Sequence, residues 1–233
     1  MNKKICVITG VGPGTGFALA KKFSDEGYTV AMLARDEIRL KNYEKQLDSA
    51  IGYLCDVSDE KQVQLVASQI ISSLGVPEIV FHNAVRGTFG SFLEIDPADL
   101  LENFQVNTMG FLYVARAFAP TMVEGGKGVI MASGNTSAFR GKPAFSAFAP
   151  SKAAQRILCE SIARDLGPKG IHVAYLTIDA VIDLDWTRKM FSDEPDDFFI
   201  KPESIAQTAF YIASQEKSAW SFNVEVRPFG EQW

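Results

Sequence analysis

Ile5-Cys6-Val7-Ile8-Thr9-Gly10-Val11-Gly12-Pro13-Gly14-Thr15-Gly16 sets the reading of the whole chain. Its first five residues are an apolar, β-branched run of strand length. Four glycines then fall within seven residues, directly before an amphipathic helical pattern from Thr15 to Glu26 that Gly27 closes. Glycines let the backbone turn sharply and approach a diphosphate, which lies against the free N–H groups of a helix N-terminus. The spacing fits neither Gly-x-Gly-x-x-Gly nor the Walker A pattern, because no Gly-Lys-Ser/Thr follows. A plain glycine-rich turn is the alternative, and four glycines directly after the first strand count against it.

Outward from this segment, short apolar runs alternate with helical patterns to the end of the chain. Thr29 to Leu33 reads as the second strand and Asp36 to Leu47 as a charged helix. Ile51 to Leu54 is the third strand. Ser58 then takes the N-cap position, with Asp59 and Glu60 in the first turn of a helix to Leu74. Ile79 to Phe81 forms strand four, and Asp96-Pro97 opens a long helical region towards Met122. Val129 to Met131 is strand five, followed by a helix from Ala147 to Leu166 that Gly167-Pro168 stops. Val173 to Ile178, a helix from Ser204 to Ser214 and a strand from Phe222 to Val226 complete the pattern. Near-continuous apolar strands alternating with helices predict an α/β fold, a doubly wound parallel sheet with helices on both faces. No repeat or linker interrupts it, so a single domain over 1–233 is expected. The irregular stretch 179–201 is either a substrate lid or a surface excursion. In such sheets ligands bind outside the carboxyl ends of the strands, which directs attention to the residues just after each one.

Composition narrows the function. The chain has 233 residues and 25.6 kDa, with 47% hydrophobic and 22% charged residues, which excludes disordered and collagenous classes. Lys and Arg total 23 against 28 Asp and Glu, a formal charge of −5, and no basic stripe offers a nucleic-acid surface. Two histidines, His82 and His172, cannot build a His-rich metal site. No apolar run reaches membrane-spanning length. Lys3-Lys4 before the first strand has a faint likeness to a signal peptide, but the apolar stretch is too short. Cys6, Cys55 and Cys159 are odd in number and lie in apolar patterns, as expected for buried free thiols in a reducing cytoplasm. Seventeen Phe against six Tyr is the one imbalance left over.

The glycine segment resembles the Thr-Gly-x3-Gly-x-Gly motif of the short-chain dehydrogenase/reductase family, whose fold is Rossmann-like. Other landmarks follow in the family's order: Asp56 after strand three, Asn83-Ala84 after strand four, Asn107 in the long helix and Ser151-Lys152-Ala153 at the end of a Tyr-x3-Lys helix motif. The resemblance implies a nicotinamide cofactor held by Gly10, Gly12, Gly14, Gly16, Arg35, Asp56, Val57, Asn83, Lys152 and Ile182. Where NAD enzymes carry an acid at the end of strand two, this chain has Ala34, followed by Arg35, which favours NADP(H) over NAD(H). A solvated charge at a helix start is the plainer reading of Arg35. The family also implies a homo-dimer or homo-tetramer built through the regions 97–122 and 147–166.

The catalytic positions depart from the family. Its chemistry uses a Tyr hydroxyl, a Lys four residues later on the same helix face and a Ser that holds the carbonyl. In register, the Tyr position is Phe148 and the Ser position Asn135, while Lys152 and Asn107, the family's structural and proton-relay asparagine, are kept. His82 and Val85 replace the ends of the Asn-Asn-Ala-Gly motif, and Asp179-Ala180 replaces a Pro-Gly. A phenyl ring has no proton to give. Other candidates for the proton are Lys152, His82, Asp179 and Asp183, with hydroxyls at Ser133 and Thr136 near Asn135. Phe139, Phe145, Phe148 and Phe191 are candidate pocket aromatics, with core packing the plainer alternative. Three readings follow: an NADP(H)-dependent oxidoreductase with an altered proton donor and a carbonyl or alcohol substrate, a non-catalytic NADP(H) sensor or partner-binding pseudoenzyme, or structural use of the fold without cofactor, which the intact glycine loop disfavours.

Overall fold

The computed structural model describes residues 4–231, so Lys3 and the outermost ends of the 1–233 domain lie outside the described residues. In chain order the elements are β1 Lys4–Thr9, α1 Thr15–Asp25, β2 Tyr28–Ala34, α2 Glu37–Glu44, β3 Ala50–Leu54, α3 Glu60–Ser73 and β4 Ile79–His82. There follow α4 Pro97–Phe104, α5 Gly110–Glu124, β5 Gly128–Asn135, α6 Ala149–Leu166 and β6 Ile171–Ile178. The last part holds β7 Val181–Ile182, α7 Asp185–Met190, β8 Phe199–Ile200, α8 Pro202–Ala213 and β9 Asn223–Val226. Seven strands form one parallel sheet in the order β3-β2-β1-β4-β5-β6-β9.

Side-chain alternation along the strands builds two cores. Cys6, Ile8, Val30, Met32, Phe81 and Leu176 face α1, α2 and α8. Val7, Ala31, Leu33, Val80, Ile130 and Val173 face α3, α5 and α6. Because side chains alternate with period two, residues next to each other on one strand serve opposite cores. The strand order reverses between β1 and β4, which places the glycine loop and the residues after His82 at the switch point.

Three expectations need correction. The cap of α3 is Asp59, which accepts from the N–H groups of Lys61 at 2.9 Å and Gln62 at 3.2 Å. Ser58 is not free for that role, since its hydroxyl donates to Asp56 Oδ1 at 2.7 Å. The long helix is two α-helices joined by a π turn over Gln105–Met109. The stretch 179–201 is not irregular: β7 pairs with β8, α7 lies between them, and Arg188 clamps the segment. Arg188 donates to both Asp183 oxygens at 2.7 and 2.8 Å, pairs with Asp196, and lies 4.1 Å over the Phe199 ring. Two-residue strands are too short to show a period, so pattern reading passes over them.

Candidate active site

At the switch point the glycine loop is packed against β4. Gly10 has φ +69°, and a Cβ there would lie 2.4 Å from the Ala84 Cα. A Cβ on Gly16 would lie 2.5 Å from the Gly10 carbonyl oxygen, and one on Gly14 would meet the Leu184 side chain at 2.7 Å. Beside Gly12 the space is open. Asn83 Nδ2 donates to the Gly10 carbonyl at 3.1 Å, so this residue shapes the loop. α1 begins without a side-chain cap, whereas Asp36, Asp59 and Asp96 cap α2, α3 and α4. Thr15 Oγ1, in the first turn of α1, is buried without a partner. A carboxylate cap would repel an anion; here the Phe17 N–H bonds the Gly12 carbonyl at 3.0 Å and no side chain caps the rest of the turn.

Next along the sheet edge, Arg35 follows β2 with its side chain 76% exposed, and its nearest charge is Asp56 at 3.8 Å. Asp36 caps α2, which accounts for that residue without a cofactor. Val57 is buried against Gly110, and Ile182 is half-buried in β7.

Lys152 is buried and directed inward. Its Nζ donates to the Ser133 carbonyl at 2.9 Å and to Gln155 Oε1 at 2.6 Å, and burial brings its pKa down to about 7. Asn107 joins α6 to the loop after β4: Nδ2 donates to the Arg86 carbonyl at 2.9 Å and to Ser151 Oγ at 2.8 Å, and Oδ1 accepts from the Arg86 N–H. Asn135 Oδ1 accepts from the Ser137 N–H at 3.1 Å, which caps the short turn after β5.

Phe148 is buried beside two rings, with centroids 5.3 Å from Phe89 and 6.4 Å from Phe145. Phe89 and Phe145 meet edge to face at 5.0 Å. Sequence reasoning missed Phe89, a loop residue with no periodic pattern around it. Of the other candidate pocket aromatics, Phe139 carries the Arg156 guanidinium 4.8 Å from its centroid, and Phe191 packs on Phe198. Phe139 and Phe145 line one open pocket together with Lys142, Pro143 and Ala149.

The alternative acids are tied up. Asp183 is held below the usual carboxylate range by its bonds to Arg188, so it stays ionised. Asp179 accepts from Thr136 Oγ1 at 2.9 Å and pairs with Arg140. His82 is fully buried; Nδ1 lies 3.1 Å from Thr9 Oγ1, and Nε2 is buried without a hydrogen-bond partner among the described residues. Burial first, and the Lys152 charge second, bring its pKa down to about 3, so it is neutral rather than a proton donor. Unfolded His82 takes a proton below about pH 6.5, whereas the folded form resists it until pH about 3. Its contribution to stability is therefore full above about pH 6.5 and is lost as the pH falls towards 3. His82→Asn is expected to flatten the acid side of the stability curve, measured by urea unfolding between about pH 4 and 7; an unchanged slope would refute the assignment.

Residues 4–194 match the family described as short chain dehydrogenase. The chain belongs to that family. Among curated relatives it is 28% identical over 230 residues to the 7alpha-hydroxysteroid dehydrogenase of Escherichia coli K12, covering 94% of this chain and 90% of that protein. A metagenomic short-chain oxidoreductase solved in complex with NADP superposes with a TM-score of 0.85 at 25% identity, covering 97% of both chains. An NADPH-bound short chain oxidoreductase from Pseudomonas aeruginosa PAO1, described as containing an atypical catalytic center, shares the fold. Its TM-score is 0.89 at 24% identity, over 99% of this chain and 97% of that one. No helix among the described residues is long and apolar enough to cross a membrane.

Proposed function

We propose that the chain is an NADP(H)-binding oxidoreductase acting on a carbonyl or alcohol substrate, with a proton donor other than tyrosine. The observation that carries this reading is the glycine cradle: Gly10 and Gly16 held against backbone with no room for a Cβ, an open side at Gly12 and a helix N-terminus without a side-chain cap. The residues fit the group. The N–H groups of α1 and the Thr15 hydroxyl would hold the diphosphate, Asp56 and Val57 would flank the adenine, and Arg35 would meet the 2′-phosphate. When bound, the cofactor supplies or accepts hydride. Among the chain's own residues, Lys152 holds a proton at Nζ with an affinity that burial has lowered to near neutrality, which suits acid/base work. The bound complex of the metagenomic relative with NADP supports the cofactor choice. By resemblance to the family, identical chains would assemble through the regions 97–122 and 147–166.

A second reading, a non-catalytic NADP(H) sensor, is favoured by two observations. The Phe148 ring is buried among aromatics, and Asn135 Oδ1 is spent on a local cap. Fluorescence titration with NADPH and NADH, followed by turnover assays on aldehydes, ketones and quinones, separates the two. NADPH is expected to bind more tightly than NADH, and Arg35→Ala to remove about tenfold of that preference. Binding of neither nucleotide would overturn both readings; binding without turnover would leave the sensor.

A further inference from the structure

Gln155 is fully buried one turn along α6 from Lys152, and both ends of its amide are engaged. Oε1 accepts from Lys152 Nζ at 2.6 Å, and Nε2 donates to the Asn107 carbonyl at 2.8 Å. That carbonyl belongs to the π turn, where the regular helical ladder is broken. Gln155 therefore ties α6 directly to the π turn with one end of its amide while the other end holds the lysine head group of its own helix. A primary amide donates only through nitrogen and accepts only through oxygen, so the polarity of this bridge is fixed.

The surroundings leave Gln155 few rivals for control of Lys152. From β5 comes the Ser133 carbonyl, at 2.9 Å. From β4 comes His82, which is neutral. From β6 comes Tyr175, whose hydroxyl bonds the Lys152 backbone carbonyl at 3.4 Å and whose own pKa is raised by burial. No carboxylate forms an ion pair with Lys152 among the described residues. The ammonium thus rests on two neutral oxygens, and only one of them belongs to a side chain.

We propose that Gln155 is a positioning residue: its amide holds the Lys152 ammonium at the Ser133 carbonyl and sets the proton affinity of the lysine from behind the site. The proposal rests on the reading above that Lys152 does the acid/base work. It explains how a lysine without a carboxylate partner keeps one orientation: loss of the amide oxygen would leave the buried ammonium a single acceptor. It also gives a role to a polar side chain that spans two elements and makes no contact with solvent.

The test follows the Lys152 side-chain nitrogen by NMR in cofactor-free, isotope-labelled protein across a pH titration, for the parent, Gln155→Glu and Gln155→Met. Gln155→Glu puts a carboxylate against the ammonium and is expected to raise the midpoint by about one pH unit or more, roughly tenfold in proton affinity. Gln155→Met removes the acceptor and is expected to lower the midpoint. A merely structural role would lower the melting temperature of both variants and leave the midpoint in place, which would overturn the proposal. Should Gln155→Met fail to fold, the near-isosteric Gln155→Glu decides alone. Failure of the oxidoreductase reading would show in the nucleotide titration and the turnover assays instead, since no nucleotide or substrate enters this measurement.

Discussion

Gly10→Ala is expected to lower folding stability by about 2–6 kcal/mol and to abolish nucleotide binding. Two costs coincide at this position. The backbone holds φ +69°, a conformation that costs a residue with a Cβ about 1–3 kcal/mol. The added atom would also lie 2.4 Å from the Ala84 Cα and 2.5 Å from its nitrogen, and these are backbone atoms that no rotamer change can move aside. Overpacking of that kind adds about 1–3 kcal/mol. Against a typical net stability of about 5–15 kcal/mol, the loss is severe. Gly27 supplies the control, because it shares a positive φ of +81° but has open space where a Cβ would go. Urea unfolding of Gly27→Ala should show only the conformational share. Equal losses at the two sites would refute the close-approach account.

The double substitution Phe148→Tyr with Asn135→Ser is expected to raise carbonyl reduction by about 10²–10⁴ over the parent, measured by cofactor oxidation. Phe148 stands four residues before Lys152, so the two occupy one face of the chain entering α6. A tyrosine there adds a hydroxyl to a group of rings that has none of its own. The serine completes the change, since Asn135 accepts from Ser137 and caps a turn. Equal rates for parent and double variant would show that the proton already arrives by another route. Activity confined to the double variant would identify the parent as a nucleotide sensor.

The part of the fold around β1, the glycine loop and α1 was legible because three local signals agree: a strand-length apolar run, clustered glycines and an amphipathic helix. The positions of Lys152, Asn107 and Phe148 followed from motif register. What was not legible depends on burial and on long-range contact. His82 at a strand end reads as a titrating group until the structure encloses it completely. Gln155 reads as one more polar residue on a helix, and its importance comes from Asn107, 48 positions away. Phe89 lies in a loop, and its meeting with Phe145 and Phe148 has no local signature. Ser58 and Asp59 are both good caps by type, and the choice between them is made by Asp56, which captures the serine hydroxyl.

The bare N-terminus of α1 has a consequence for the lifetime of the protein. An anion that settles on its free N–H groups adds folding stability in proportion to the logarithm of its concentration over its dissociation constant. If that anion is the proposed nucleotide, the chain without it would be less stable and more open to proteolysis. On the proposed function, the folding stability of the chain would rise and fall with nucleotide concentration through this single helix end.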